Sequence, residues 1–292
     1  MNKITLTLLV ITTLLYSCGS DDDPDNSGNL LRVDRTFNNT GNTASINYED
    51  GDKVKTFYYG STLTNNFEYD ADGKMTKFTI YSENEVDREY TFTYDSNGKI
   101  TSVHDFYARP FLIAEPVDQD RTVTWEGNKM SIPLLVDDSS NLYNNYEFSF
   151  NDNNLLSKYK VTKWDGSVKI NINFAYDNNK NVIRLTGFYN LFSLVNIDIE
   201  STYDSKINPY LPHYNKYYLQ NLIIYGARPG SGFSVSDLLA IYNHLGNNNP
   251  LLVDRNNSNA LYFTYDYNGD KPSTSYYRNS SDVITTTTFV YE

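Results

Sequence analysis

REYTFTYDSNGKI, residues 88–100, holds the pattern that decides the fold. Aromatic rings stand at Tyr90, Phe92 and Tyr94, and threonines separate them. A period of two indicates a β-strand with one apolar and one polar face. The strand runs into Asp-Ser-Asn-Gly, a sequence that tolerates the positive φ angles of a tight hairpin turn. The segment therefore predicts an antiparallel strand, covered on one side and followed by a turn.

The same phrase recurs along much of the chain. Each copy has an alternating strand, an aromatic residue followed by Asp, Asn or Glu, a polar turn, and then an aliphatic residue. Copies begin at Tyr48, Tyr69, Tyr94, Trp125, Phe150, Tyr176 and Tyr265, with a partial copy at Tyr203. Since each interval has room for two strands and two turns, the copies predict about fourteen strands in sequence order. A sheet of that width must curl, split or close, because twist accumulates.

The sequence thus predicts an all-β fold, a long antiparallel meander of repeated hairpins curled into a barrel or half-barrel. We expect a single β domain over residues 30–292, with a helix-containing insertion at about 208–259. The rings at Phe92 and Phe148 are expected to face the core, and the intervening Thr91 to face water. The alternative is an outward aromatic face, as on a lipid-exposed wall or a ligand platform.

The insertion holds one predicted helix. Ser234 and Asp237 have the spacing of a capping box and Gly246 is a C-terminal stop, so a short helix is expected at about 235–245. It would cap an open end of the sheet. The alternative is a lid or partner surface formed with three aromatic residues, which are also the candidate ligand-binding residues: Tyr214, Tyr217 and Tyr218.

The N-terminus predicts export and lipid attachment. Residues 1–17 join a basic start to an apolar stretch too short to cross a bilayer, as in a signal peptide. Leu-Tyr-Ser-Cys, residues 15–18 at the end of this stretch, resembles the lipobox of bacterial lipoproteins, and this implies acylation of Cys18, the single cysteine. Residues 18–29 are acidic and contain Pro and Gly, which is typical of a flexible tether. The aspartates after Cys18 also resemble the signal that sends some Gram-negative lipoproteins to the outer face of the outer membrane; a periplasmic orientation is the alternative.

Composition excludes several classes of protein. The chain carries 27 Tyr and 15 Phe, too many large rings for a disordered protein. With a net charge of −12 it lacks the clustered cations that nucleic-acid binding requires. Nucleic acid is therefore not a predicted partner. The predicted partners are the membrane, through the lipid anchor, and a glycan or a surface protein as a further ligand.

The sequence carries no recognisable catalytic motif. The glycine-rich segment 226–232 lacks the Gly-Lys-Ser/Thr of a phosphate loop. His104, His213 and His244 have no metal-binding or dyad spacing, and each is expected to be a surface or core residue. The sequence therefore predicts no catalytic residue, no metal site and no cofactor.

The Tyr-Asp-x-x-Gly-Lys copies at Tyr69 and Tyr94 resemble the Tyr-Asp repeats of large bacterial shell and toxin proteins. Together with the lipobox and the phrase YDSKINPY, residues 203–210, they also resemble a lipoprotein family of unknown function with a porin-like fold. That resemblance covers most of residues 40–290 and implies a fold without an activity.

The function predicted from sequence is that of a lipid-anchored outer-membrane or cell-surface protein that binds a glycan or a protein and has no catalytic activity. A purely structural or adhesive surface module is the alternative, and a glycan-active hydrolase is the third class.

Overall fold

The computed structural model describes residues 28–108, 116–135, 143–163, 165–190, 193–227, 246–254, 260–279 and 282–292. Within these ranges the chain forms a 19-stranded sheet and two helices. The first ten strands are β1 Leu30–Phe37, β2 Asn42–Glu49, β3 Lys53–Tyr59, β4 Thr62–Tyr69, β5 Met75–Ser82, β6 Glu85–Tyr94, β7 Ile100–Tyr107, β8 Val117–Thr122, β9 Thr124–Glu126 and β10 Lys129–Leu135. The remainder are β11 Tyr143–Phe150, β12 Leu156–Lys163, β13 Val168–Tyr176, β14 Val182–Asn190, β15 Leu194–Ile207, α1 Leu211–Lys216, α2 Tyr218–Gly226, β16 Asn248–Asp254, β17 Leu261–Asn268, β18 Lys271–Asn279 and β19 Asp282–Tyr291. No helix of the described ranges is long and apolar enough to cross a membrane.

The strands form one antiparallel meander whose two ends meet. β1 pairs with both β2 and β19, and pairing is otherwise between neighbours along the chain. β8 and β9 are an exception, because together they cross the sheet once, as two parts of one strand interrupted at Val123. The Val123 amide donates to the Thr101 carbonyl of β7 at 2.8 Å. β9 then pairs with β10. The sheet is a nearly closed barrel, which confirms the predicted meander. It has more strands than predicted because segments such as β8 lack the aromatic alternation.

The recurring turns gather at one end of the barrel, which we call the Tyr-Asp rim. At Asp70, Asp95 and Asn151 the side-chain Oδ1 accepts hydrogen bonds of 2.8–3.0 Å from backbone amides two and four residues later. Positive φ angles fall at one position of the phrase, occupied by Gly73, Gly98, Asn154 and Lys180. The turn prediction is confirmed, and Lys180 shows that the position does not always hold a small residue.

In most copies of the phrase, the aromatic residue that opens it reaches back to the copy before it. The Tyr176 hydroxyl donates to the Leu156 carbonyl at 2.8 Å, and the Trp125 ring N–H donates to the Ile100 carbonyl at 3.1 Å. The same contact joins Tyr69 to Val54, Tyr94 to Met75, Tyr203 to Val182, Tyr265 to Pro250 and Tyr291 to Pro272. The acceptors lie just after the preceding turn, so these bonds tie each hairpin to the next around the rim. Each contributes about 1 kcal/mol to stability.

The apolar face of the meander points into the barrel. Phe92 and Phe148 are 4% and 1% exposed. Polar residues occupy the outer face, where Lys77 and Glu89 form a cross-strand ion pair of 2.7 Å. A membrane-spanning barrel has the opposite arrangement, with an apolar outer band and a polar interior. The expected inward placement of the rings is confirmed.

The two helices close the Tyr-Asp rim and enter the barrel. At the rim, Lys216 of α1 pairs with Asp52 at 2.6 Å. Further inside, the carbonyl of Gly226 at the end of α2 accepts a 2.6 Å bond from the Tyr159 hydroxyl. A Cβ atom at Gly226 would lie 3.0 Å from the Phe148 ring, so a larger residue there would have to displace this ring slightly. The apolar residues of α2 are buried with the wall in the main core: Leu222, Ile223 and Ile224.

These two helices were not predicted from the sequence, which placed a helix at about 235–245 of the insertion. Pro212 lies in the first turn of α1, where its missing N–H removes no hydrogen bond. The predicted helix at 235–245 lies outside the described residues. Asn248–Asp254, inside the predicted insertion 208–259, is a barrel strand.

Candidate ligand-binding cavity

A cavity of about 300 Å³ lies inside the barrel beside β17, β18, β19 and β1. The strand register aligns the inward side chains of these strands in two rows. The first row holds Phe263, Tyr277, Thr285 and Phe37, and the second holds Tyr265, Ser275, Thr287 and Arg35. Ser275 and Thr287 are small beside the neighbouring rings, and this difference in size leaves the cavity.

The depth of the cavity follows from the exposure of its lining. Phe37, Tyr277 and Phe263 are half-buried and lie close to the strand ends opposite the Tyr-Asp rim. Asn208 and Asn249, on the inner side, are each 1% exposed. The mouth of the cavity therefore lies at the rim opposite the Tyr-Asp rim, and the two asparagines belong to its floor.

Arg35 gives the wall its charge. Its Nη2 donates to the Tyr210 hydroxyl at 3.2 Å, and its guanidinium carbon lies 5.9 Å from the centre of the Tyr210 ring. Electrostatic interaction with Tyr210 raises the pKa of Arg35 above its usual value, so the guanidinium remains a cation. Of the described residues that line the cavity, Arg35 is the one that carries a charge.

A second cavity of about 190 Å³ lies on the other side of Tyr210 and also contacts Arg35. His213 lines it, and burial lowers the pKa of His213 to about 4, so the imidazole is neutral near pH 7. Among the described residues that line the two cavities, Arg35 is therefore the cation of both. The Tyr210 ring lies between the two cavities.

The three aromatic candidates from the sequence take different places. Tyr214 is half-buried and lines the smaller cavity. Tyr217 is 1% exposed, and its hydroxyl donates to the Gly73 carbonyl at 2.9 Å. The Tyr218 hydroxyl accepts a 2.8 Å bond from the Leu156 amide. Tyr217 and Tyr218 thus hold the helices against the wall. Cys18 and His244 lie outside the described residues.

Arg35 was missed in the sequence, although a signal was present. It stands between Val33 and Phe37 at the same spacing of two that places apolar residues inward. A charged residue at an inward position of an amphipathic strand is unusual, because unpaired charges are rarely buried. That break in the alternation could have identified the site.

Another charged cluster inside the barrel has a structural role. Arg121 and Asp105 have side chains that are each 1% exposed, and they form two contacts of 2.7 and 2.8 Å. Arg121 also donates to the Ala227 carbonyl at 2.9 Å, just after α2. The pair holds the end of α2 inside the barrel. In the part of the chain that the structure describes, no group of three or more His, Cys, Asp or Glu residues could hold a metal ion.

Two solved structures of porin-like proteins are similar to this chain. One is from Bacteroides vulgatus, with 11% identity and a TM-score of 0.44 over 91% of this chain and 99% of that one. The other is from Bacteroides uniformis, with 11% identity and a TM-score of 0.46 over 90% of this chain and 98% of that one. No family model matches the chain, and no curated protein matches it.

Proposed function

We propose that this chain is a lipid-anchored protein of the bacterial cell envelope whose barrel cavity binds a glycan without chemical change. The cavity is the observation that carries the proposal. Its volume is at the lower end for small-molecule sites, and its lining combines flat rings with a few polar groups, as such sites do. Phe37, Phe263 and Tyr277 offer apolar faces to a sugar ring, and Ser275 and Thr287 offer hydroxyls to its hydroxyls.

The position of the chain's N-terminus agrees with this use of the cavity. Asn29 lies at the Tyr-Asp rim, where its carbonyl accepts a 3.0 Å bond from the Glu292 amide and its side chain adjoins Gly51. A tether that precedes Asn29 therefore leaves from the rim opposite the cavity mouth. With Cys18 acylated, the mouth would face away from the membrane and toward external ligands.

The competing function is a structural or adhesive module that binds no small ligand. The two hypotheses differ in what the cavity does, so the test fills the cavity. Ser275→Phe places a ring in the cavity, whereas Thr274→Phe places the same ring on the outer face one residue away.

The purified protein should be screened on a glycan array, and the sugars that bind should be measured by calorimetry. We expect Ser275→Phe to abolish binding and Thr274→Phe to retain it, with both variants folded by circular dichroism. Binding retained in both variants would mean that the glycan does not use the cavity and would contradict the proposal, and no glycan binding by the parent chain would favour the structural module. Chromatography of the bound glycan should return it intact; cleaved products would instead favour the hydrolase.

A further inference from the structure

We infer that the sugar bound in the cavity carries a carboxylate, and that Arg35 together with Tyr210 recognises it. The inference rests on the proposed function and adds the chemical class of the ligand.

The guanidinium of Arg35 has unused hydrogen-bonding capacity. Arginine has five N–H donors, and within the described chain Arg35 uses one hydrogen bond, to the Tyr210 hydroxyl. Its described surroundings in the two cavities are rings, hydroxyls and amides, with no carboxylate among them. Arg35 is half-buried and lines both cavities, so its remaining N–H groups face a space that a ligand can enter. An anionic ligand in the cavity would meet them there.

The geometry favours a carboxylate over a phosphate. A guanidinium fork and a carboxylate are both planar and can form two parallel hydrogen bonds. One arginine also balances the single charge of a carboxylate, whereas a phosphate group carries more than one negative charge near pH 7. The Tyr210 hydroxyl, which accepts a hydrogen bond from Arg35 Nη2, holds the fork beside the cavity.

The residues around Arg35 leave room for such a group. Its cross-strand partners are Thr287 on β19 and Ala44 on β2, both small. Ser275 lies next to Thr287 in the same row. The carboxylate would lie over this row, and the sugar ring would extend toward Phe37 and Tyr277 at the mouth.

The test compares sugars that differ in one group. D-galacturonic acid and D-galactose have the same ring and differ in the carboxylate, as do D-glucuronic acid and D-glucose. Binding of each should be measured by calorimetry with the purified full chain and with two variants. Arg35→Gln removes the interior cation, and Arg32→Gln removes an exposed arginine of the same strand that pairs with Asp34 on the outer face. Benzoate is included as a carboxylate without a sugar.

We expect a uronic acid to bind at least about 10-fold more tightly than its neutral partner, as for a hydrogen bond between charged groups. Arg35→Gln should remove this preference, and Arg32→Gln should keep it. Equal binding of acidic and neutral sugars would overturn the inference while leaving the glycan function in place. Arg35-dependent binding of benzoate without binding of any sugar would keep carboxylate recognition but contradict the glycan. An unchanged preference in Arg35→Gln, or binding of no probe, would also overturn it.

Discussion

At the level of single residues, His213 makes the stability of the fold depend on pH. It is 3% exposed, lies beneath the Tyr-Asp rim and contacts the Asp52 carbonyl at 3.0 Å. Burial lowers its pKa to about 4, while in the unfolded chain the imidazole titrates near its ordinary value of 6.5. The unfolded state therefore binds the proton first as the pH falls. The contribution of a neutral, buried His213 to the free energy of unfolding is therefore fully present above pH 6.5. As the pH falls from 6.5 to 4, protonation of the unfolded chain lowers the free energy of unfolding by about 3 kcal/mol.

Denaturant unfolding at several pH values checks this prediction. His213→Asn should reduce the dependence of the unfolding free energy on pH between 6.5 and 4. Equal slopes in the variant and the parent chain would contradict a buried neutral His213.

Single residues also show where sequence reasoning succeeds. The turn residues Asp70 and Gly73 were predictable, because their roles depend on local backbone angles and local hydrogen bonds. The role of Arg35 in the cavity was not predictable, since it depends on contact with Tyr210, which lies 175 residues away along the chain. The bonds from each tyrosine to the preceding hairpin were also missed, because a hydroxyl partner in a neighbouring strand leaves no periodic trace.

At the scale of elements, the alternation of β6 gives a direct prediction about the two faces of the sheet. Phe92→Ala should destabilise the protein by roughly 3 to 5 kcal/mol, as for other buried rings. Thr91 lies outward between Lys77 and His104 on the adjacent strands, so Thr91→Glu should change stability by less than about 1 kcal/mol. Chemical denaturation of both variants measures this. A tolerant Phe92 together with an intolerant Thr91 would mean that the rings face outward.

Many of the strands could be predicted from the sequence, whereas the two helices could not. Strands with aromatic alternation were identified because a period of two is visible in a few residues. The helices α1 and α2 were missed because α1 has only six residues and α2 nine, too short for a clear helical period. What stabilises them is burial inside the barrel, which a local pattern does not show.

At the scale of the whole molecule, the proposed anchor determines which way the cavity faces. The single cysteine is the acylation site in the lipobox resemblance, so Cys18→Ala should move the protein from the detergent phase to the aqueous phase in detergent partitioning. Its circular dichroism should not change, because Cys18 precedes the barrel. Unchanged partitioning of this variant would contradict the lipid anchor.

The ligand is proposed to bind inside the barrel, on the inward face of β18. In a chain that also carries Cys18→Ala, Ser275→Cys and Thr274→Cys each introduce one thiol, on opposite faces of this strand. The rate of maleimide labelling should be measured with and without D-galacturonic acid. We expect the sugar to slow labelling at position 275 and to leave position 274 unchanged; protection at 274, or at neither position, would mean that the ligand binds elsewhere.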